Sequence, residues 1–208
     1  MTNETISFDI LDPQPLLIVI SGPSGVGKDS VVKELLKRNA NMDFVVTATS
    51  RAQRGNEQEG VDYFFITKDE FERMIKDDEF LEHSLVYDQY KGIPKNQVLE
   101  KWSHGKDVIL RIDFQGARKI KNLYPETLMI FLLPTSEDEL RKRLTDRKTE
   151  SIETIELRMA TTRKEMESIS IFDYLVYNPH GRMNDAVKTI EAIVTAEHHR
   201  VDQRKVRI

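Results

Sequence analysis

Cysteine is absent from the 208 residues, which excludes disulfides and any metal site built on thiolates. No stretch approaches the ~20 consecutive apolar residues that a membrane-spanning helix needs, so no membrane partner is expected. Net positive charge is also lacking. The formal charge is −4, which argues against general nucleic-acid binding. Local basic clusters remain available to small anionic ligands. The opening stretch "MTNETISFDILDPQP" has neither a basic n-region nor a long apolar h-region, so no secretory signal is expected. Residues 1–14 read as a flexible arm, and the expected setting is cytoplasmic. There is no internal repeat and no low-complexity linker.

Apolar residues make up 39% of the chain and charged residues 32%, the balance of an ordinary globular protein. The length suits one α/β domain with a sizeable core. "LLIVIS" (Leu16–Ser21), "DVILRID" (Asp107–Asp113) and "TLMIFLL" (Thr127–Leu133) are apolar runs without alternation, as in parallel strands buried on both faces. "FVVTATS" (Phe44–Ser50) reads as one further strand, and Tyr63–Ile66, "FLEHSLVY" and "DYLVYN" read as others. "YKGIPKNQVLEKWSHG" reads as a turn and a short helix that stops at Gly105. Thr67 with Glu70 reads as a capping box, and Ser136 with Glu139 has the same spacing ahead of a helix. A long helix is expected over about Ile152–Ile169, and a last one over "MNDAVKTIEAIVTAEHH". The basic tail "HHRVDQRKVRI" reads as a frayed, solvated helix end. Alternating strand and helix predicts a doubly wound parallel sheet. The denser charge and shorter strands of 44–95 suggest a subdomain.

Between the first strand and the first helix stands "GPSGVGK", Gly22 to Lys28. Gly22, Gly25 and Gly27 let the backbone turn so that successive N–H groups of the loop, whose other members are Pro23, Ser24 and Val26, face phosphate oxygens. The helix start adds partial positive charge, and Lys28 a mobile ammonium. Strand, glycine loop and helix in this order identify a phosphate-binding loop. Position 29 then departs from the pattern, with Asp where Ser or Thr is usual; Ser30 follows and keeps a hydroxyl nearby. A carboxylate is a competent magnesium ligand. An acid in a first helical turn is equally favoured by the helix dipole. The expectation is a working loop with altered metal dependence, because an uncompensated Asp29 repels a triphosphate.

"VISGPSGVGK", "SRAQRG", "GVDYFF", "FLEH", "IDFQGA" and "RKRLTDR", in this order and spacing, resemble the guanylate kinases over nearly the whole chain. The resemblance implies a P-loop α/β domain spanning 1–208. Its core would be 16–43, 96–135 and 171–208, with a GMP-binding subdomain at about 44–95 and a helical lid at about 136–170. It implies phosphoryl transfer from ATP to GMP or dGMP with Mg2+, within purine nucleotide metabolism. On the residues alone, Arg51 and Arg54 suit either a dianionic phosphate or a solvated charged loop with Glu57 and Glu59. The family register assigns them, with Tyr63, to the GMP phosphate. It assigns Glu82 and Asp113 to the N1–H and 2-amino donors of guanine, and Thr47 to the base oxygen. Asp113 also suits a helix N-cap. Lys91 and Ile93 depart from the family's usual tyrosine and serine; Tyr90 is the nearest aromatic hydroxyl and Lys91 a candidate phosphate contact. Arg111 stands where an acid is frequent. The family's lid arginines match Arg143, Arg147 and Arg158, although Glu139 and Arg143 also form a favourable surface pair. Asn178 falls where the family's chain passes the adenine. Two other readings remain at this level: a non-catalytic phosphopeptide-binding scaffold of the same family, and a same-fold kinase acting on a sugar phosphate.

Overall fold

The computed structural model describes residues 13–55, 57–86, 89–146 and 151–208. Most of the expected N-terminal arm, and Arg147, lie outside them.

Five strands form a parallel sheet in the order β2-β7-β1-β8-β9: β1 (Leu17–Ser21), β2 (Met42–Phe44), β7 (Asp107–Arg111), β8 (Leu128–Leu133) and β9 (Tyr174–Tyr177). β1 is central and fully buried. Successive side chains point to opposite faces of a strand. Ile18 and Ile20 therefore join one cluster, and Leu17 and Val19 the other. The first cluster is closed by α1 (Lys28–Arg38) through Val31, Val32 and Leu35, and by α7 (Met183–His198) through Val187, Ile190 and Val194. The second is closed by α3 (Lys95–Ser103) and α4 (Phe114–Leu123) through Val98, Phe114, Ala117 and Ile120. Each such side chain contributes roughly 1.5–3 kcal/mol on burial. The sheet is thus doubly wound, as the unalternating apolar runs predict.

A second sheet has the order β4-β3-β6-β5, from β3 (Ala48–Thr49), β4 (Phe64–Phe65), β5 (Phe80–Val86) and β6 (Gln89–Pro94). With α2 (Lys68–Lys76) it encloses a small core of Phe71, Phe80 and Ala48, in which Phe71 stacks on Phe80 and Tyr90. Helices α5 (Glu137–Asp146) and α6 (Ile152–Glu167) share a separate cluster of Leu140, Leu144, Ile155 and Met159.

Four expectations need correction. "FVVTATS" is not one strand: Phe44 ends β2, the chain crosses between sheets, and β3 begins at Ala48. The crossing is held by the Gln97 side chain, which accepts from Val46 N–H and donates to Val46 C=O. Gln89–Pro94 is a strand rather than a turn, because its backbone pairs antiparallel with β5. The Thr67 cap accepts from Glu70 N–H as expected, but the Glu70 carboxylate goes forward to Arg73, so the box is half made. The tail is not frayed throughout. Arg204 is buried on Glu197, and Val206 packs against the second cluster.

Candidate active site

The phosphate loop leaves β1 at Ser21 and enters α1 at Lys28. Gly22 and Gly27 have φ of 145° and 97°. A Cβ on Gly22 would lie 2.5 Å from the Leu132 carbonyl oxygen, and one on Gly27 2.8 Å from Asn178 Nδ2. Torsion therefore favours glycine at both positions, and at Gly22 the facing backbone carbonyl excludes a side chain on shape as well. A turn from Pro23 C=O to Val26 N–H shapes the middle of the loop. Lys28 folds back over it, donating to the carbonyls of Gly22 (2.5 Å) and Pro23 (3.0 Å). Burial lowers the Lys28 pKa to about 8, opposed by Asp29, Glu165 and Asp113.

Two predicted residues brace the loop from behind. The buried Asn178 donates to the Val26 carbonyl at 2.7 Å. Arg143 donates to the same carbonyl at 2.9 Å and to Asn178 C=O at 2.6 Å, and pairs with Glu139. Arg158, on α6, donates to Ser24 Oγ and so ties the α5–α6 pair to the loop. Ser30 is exposed on α1.

The loop faces a cavity of about 330 Å³ whose opposite wall comes from the second sheet and the start of α4. Lys28, Asp29, Thr47, Tyr63, Glu82, Lys91 and Asp113 all line it, although they come from distant parts of the sequence. Asp113 caps α4, accepting from Gly116 N–H at 2.9 Å, so the N-cap reading holds while the residue still borders the cavity. A Cβ on Gly116 would sit 3.5 Å from Glu82 Oε2 and 3.6 Å from Asp113 Oδ1. The two carboxylates therefore converge across a residue with no side chain. Glu82 is only 6% exposed. Its Oε1 accepts no hydrogen bond among the described residues, although Lys119 Nζ is 3.2 Å away. Burial raises its pKa above the usual carboxylate range; Lys119 opposes the shift and Asp113 adds to it.

Period-2 alternation along β6 separates its candidates. Lys91 and Ile93 line the cavity. Tyr90 points the other way, stacked on Phe71 with its hydroxyl donating to Glu72 at 3.3 Å, and serves the small core. Arg51 forms a two-point ion pair with Glu57 (2.5 and 2.7 Å) and lies over the Tyr63 and Phe65 rings. Arg54 is exposed and stands outside the cavity lining.

Asp29 is not uncompensated. Arg111 Nη1 donates to its Oδ1 at 2.5 Å. The premise that a bare carboxylate sits beside the triphosphate tail is therefore corrected. The unexpected acid and the unexpected base neutralise each other across 82 positions of sequence. Two polar side chains of the lining, Ser84 and Glu165, are not among the residues expected from the sequence. Alternation from Glu82 along β5 points to Ser84. Glu165, on α6, is signalled only by tertiary packing: burial raises its pKa, with Lys28 acting against the shift.

Among the described residues no group of three or more His, Cys, Asp or Glu side chains is placed to hold a metal ion, and no helix is long and apolar enough to cross a membrane.

The guanylate kinase family model matches residues 14–197. The chain is 48% identical to guanylate kinase 2, chloroplastic/mitochondrial, of Oryza sativa subsp. japonica, over 94% of this chain and 69% of the rice protein. It is 47% identical to the guanylate kinase of Clostridium tetani, over 91% of this chain and 90% of that one. The crystal structure of guanylate kinase from Anaplasma phagocytophilum superposes with a TM-score of 0.75 at 29% identity, covering 92% of this chain and 90% of the other. A glycine loop on a buried strand, a converging carboxylate pair across one cavity, and a match along most of the length agree: the chain belongs to the guanylate kinase family.

Proposed function

We propose that this protein transfers the γ-phosphoryl group of ATP to GMP, and to dGMP, giving ADP and the nucleoside diphosphate. The observation carrying this reading is that Lys28 and the Glu82–Asp113 pair open onto one cavity. In this reading the loop amides and Lys28 hold the β- and γ-phosphates. Glu82 and Asp113 accept from N1–H and the 2-amino group of guanine, Thr47 meets the base oxygen, and Lys91 and Tyr63 face the acceptor phosphate. Arg51 reaches that phosphate by exchanging Glu57 for it, since a dianion is the stronger partner for a planar fork. Adenine presents a lone pair where guanine presents N1–H. The mismatch leaves a buried acceptor unpaired, at about 1–3 kcal/mol, or roughly tenfold to a hundredfold in affinity.

Phosphoryl transfer between nucleotides needs positioning and positive charge more than covalent help. The acceptor oxygen is already ionised near neutral pH, so no general base is required. The 44–95 region acts as the GMP-binding part. The α5–α6 pair acts as a lid that excludes water, with Arg158 docking it on Ser24 and Arg143 bracing the loop. Magnesium is commonly held by one or two carboxylates together with substrate phosphates. The exposed Asp29 carboxylate, next to Lys28, fits that role. The ion would neutralise charge on the β- and γ-oxygens.

A coupled ADP-release assay with GMP, dGMP, AMP and a phosphosugar, with Lys28→Met as the blank, tests the reading. Turnover of GMP and dGMP well above AMP is expected. Turnover of the phosphosugar alone would replace guanine with a sugar as acceptor, and binding without turnover would favour the scaffold.

A further inference from the structure

Arg111 ends β7 directly beside the loop, its Cα paired with that of Ile20. Its side chain is 16% exposed, whereas that of its partner Asp29 is 77% exposed. The guanidinium carbon lies 5.3 Å from the Phe44 ring centroid and 6.0 Å from that of Tyr63. Arg51 sits on the same Tyr63 at 4.9 Å. A line of groups therefore runs from the phosphate loop through Arg111 and Tyr63 to Arg51, with Arg111 between the donor and acceptor sides. The guanidinium opposes protonation of Lys28, so its place in the cavity carries an electrostatic cost. An ion pair to a largely exposed carboxylate is worth little. That pairing alone does not account for a cation fixed by two rings and lining the cavity.

We propose that Arg111 is a phosphate-contacting residue of the transfer step, held on Asp29 in the arrangement above and exchanging that carboxylate for oxygens of the migrating phosphoryl group when both nucleotides are seated. This rests on the phosphoryl-transfer reading given above. In the transition state negative charge spreads over the equatorial oxygens of the phosphoryl group. A planar guanidinium can meet two of them at once, which an ammonium cannot. Phe44 and Tyr63 keep the guanidinium near the line of transfer during the exchange. Leaving Asp29 costs little because that carboxylate is mostly in water, and its release frees a hard oxygen donor beside the triphosphate tail. Asp29 thus serves as a parking site that keeps a second cation beside Lys28 tolerable.

The test compares wild type with Arg111→Met, Arg111→Lys, Asp29→Ser and the Asp29→Ser/Arg111→Met double variant. Measured are kcat and KM for each nucleotide, heat of GMP binding without divalent metal, and the urea midpoint. Arg111→Met is expected to lower kcat by about 10²-fold or more, with a smaller rise in GMP KM and an unchanged midpoint. Arg111→Lys recovers only part of the loss, for want of the fork. The double variant stays as slow as Arg111→Met. Recovery of wild-type kcat in the double variant overturns the proposal, since Arg111 would then merely neutralise Asp29. So does a kcat loss that only tracks a lowered midpoint, or no loss at all. A wild type that turns over GMP while Arg111→Met is unimpaired defeats this inference alone; a wild type that does not turn over GMP defeats both readings.

Discussion

The phosphate loop springs from a strand sealed between two large apolar clusters, whereas Glu82, which faces it, stands on a sheet with its own core of Phe71, Phe80 and Ala48. The α5–α6 pair is built like the second sheet, with four buried side chains of its own and hydrogen bonds across to the loop. Regions with small separate cores open at lower free energy than those sharing a main core. On the proposed function, the phosphate-loop side is then the more rigid one, and the second sheet and the α5–α6 pair are the parts that adjust. An enzyme that must admit two nucleotides and then exclude water needs that division.

Phe131→Ala, in the second cluster under the main sheet, should cost about 3–5 kcal/mol of global stability in urea denaturation. Phe71→Ala should instead loosen the second sheet locally, weakening GMP binding while the rest unfolds near the wild-type midpoint. Equal global losses would mean that the two regions are one cooperative unit. Lys28→Met comes next. A loss of kcat of about 10²–10³-fold is expected without a lower midpoint, because the ammonium it removes is desolvated in the fold.

Glu82→Gln should raise GMP KM roughly tenfold to a hundredfold and leave ATP KM unchanged. Its pH dependence separates binding from folding. The folded-state pKa of Glu82 is raised, so between the unfolded value and the folded one the folded protein holds the extra proton. The site's stabilising contribution is therefore fully present below the unfolded pKa and is lost as pH rises through the folded pKa. GMP binding runs the other way and weakens as pH falls through the folded pKa, because a protonated carboxyl cannot accept from both guanine donors. Calorimetry with GMP, set beside thermal melts over the same pH range, checks the opposed slopes; parallel slopes would remove Glu82 from guanine recognition. The smallest effect is expected for Asp29→Ser, which should raise the free magnesium needed for half-maximal rate because a hydroxyl is a weaker ligand than a carboxylate. Superimposable magnesium curves would show that Asp29 does not handle the metal.

Much of the frame was legible because it rests on local chemistry. β1, β7 and β8 declare themselves as apolar runs with no polar face, and the glycine loop between β1 and α1 admits few alternatives. Gln89–Pro94 was not legible as a strand, since only its β5 partner supplies the hydrogen bonds that make it one. The same holds for the tail, whose Arg204 looks like a solvated charge until Glu197, itself 1% exposed, is placed beside it. Tyr90 was drawn to the cavity by its residue type and removed from it by the strand's alternation.

By itself the sequence determined the doubly wound class, the phosphate loop with Lys28, and which acids and bases were available, because apolar periodicity and backbone torsion act over a few residues at a time. Tertiary structure alone decided that Arg111 neutralises Asp29, that Glu82 and Asp113 meet across Gly116, and that Glu165 reaches the field of Lys28. Each of those relations joins segments far apart in the chain, and their distances exist only once the two sheets and the α5–α6 pair have packed around one cavity.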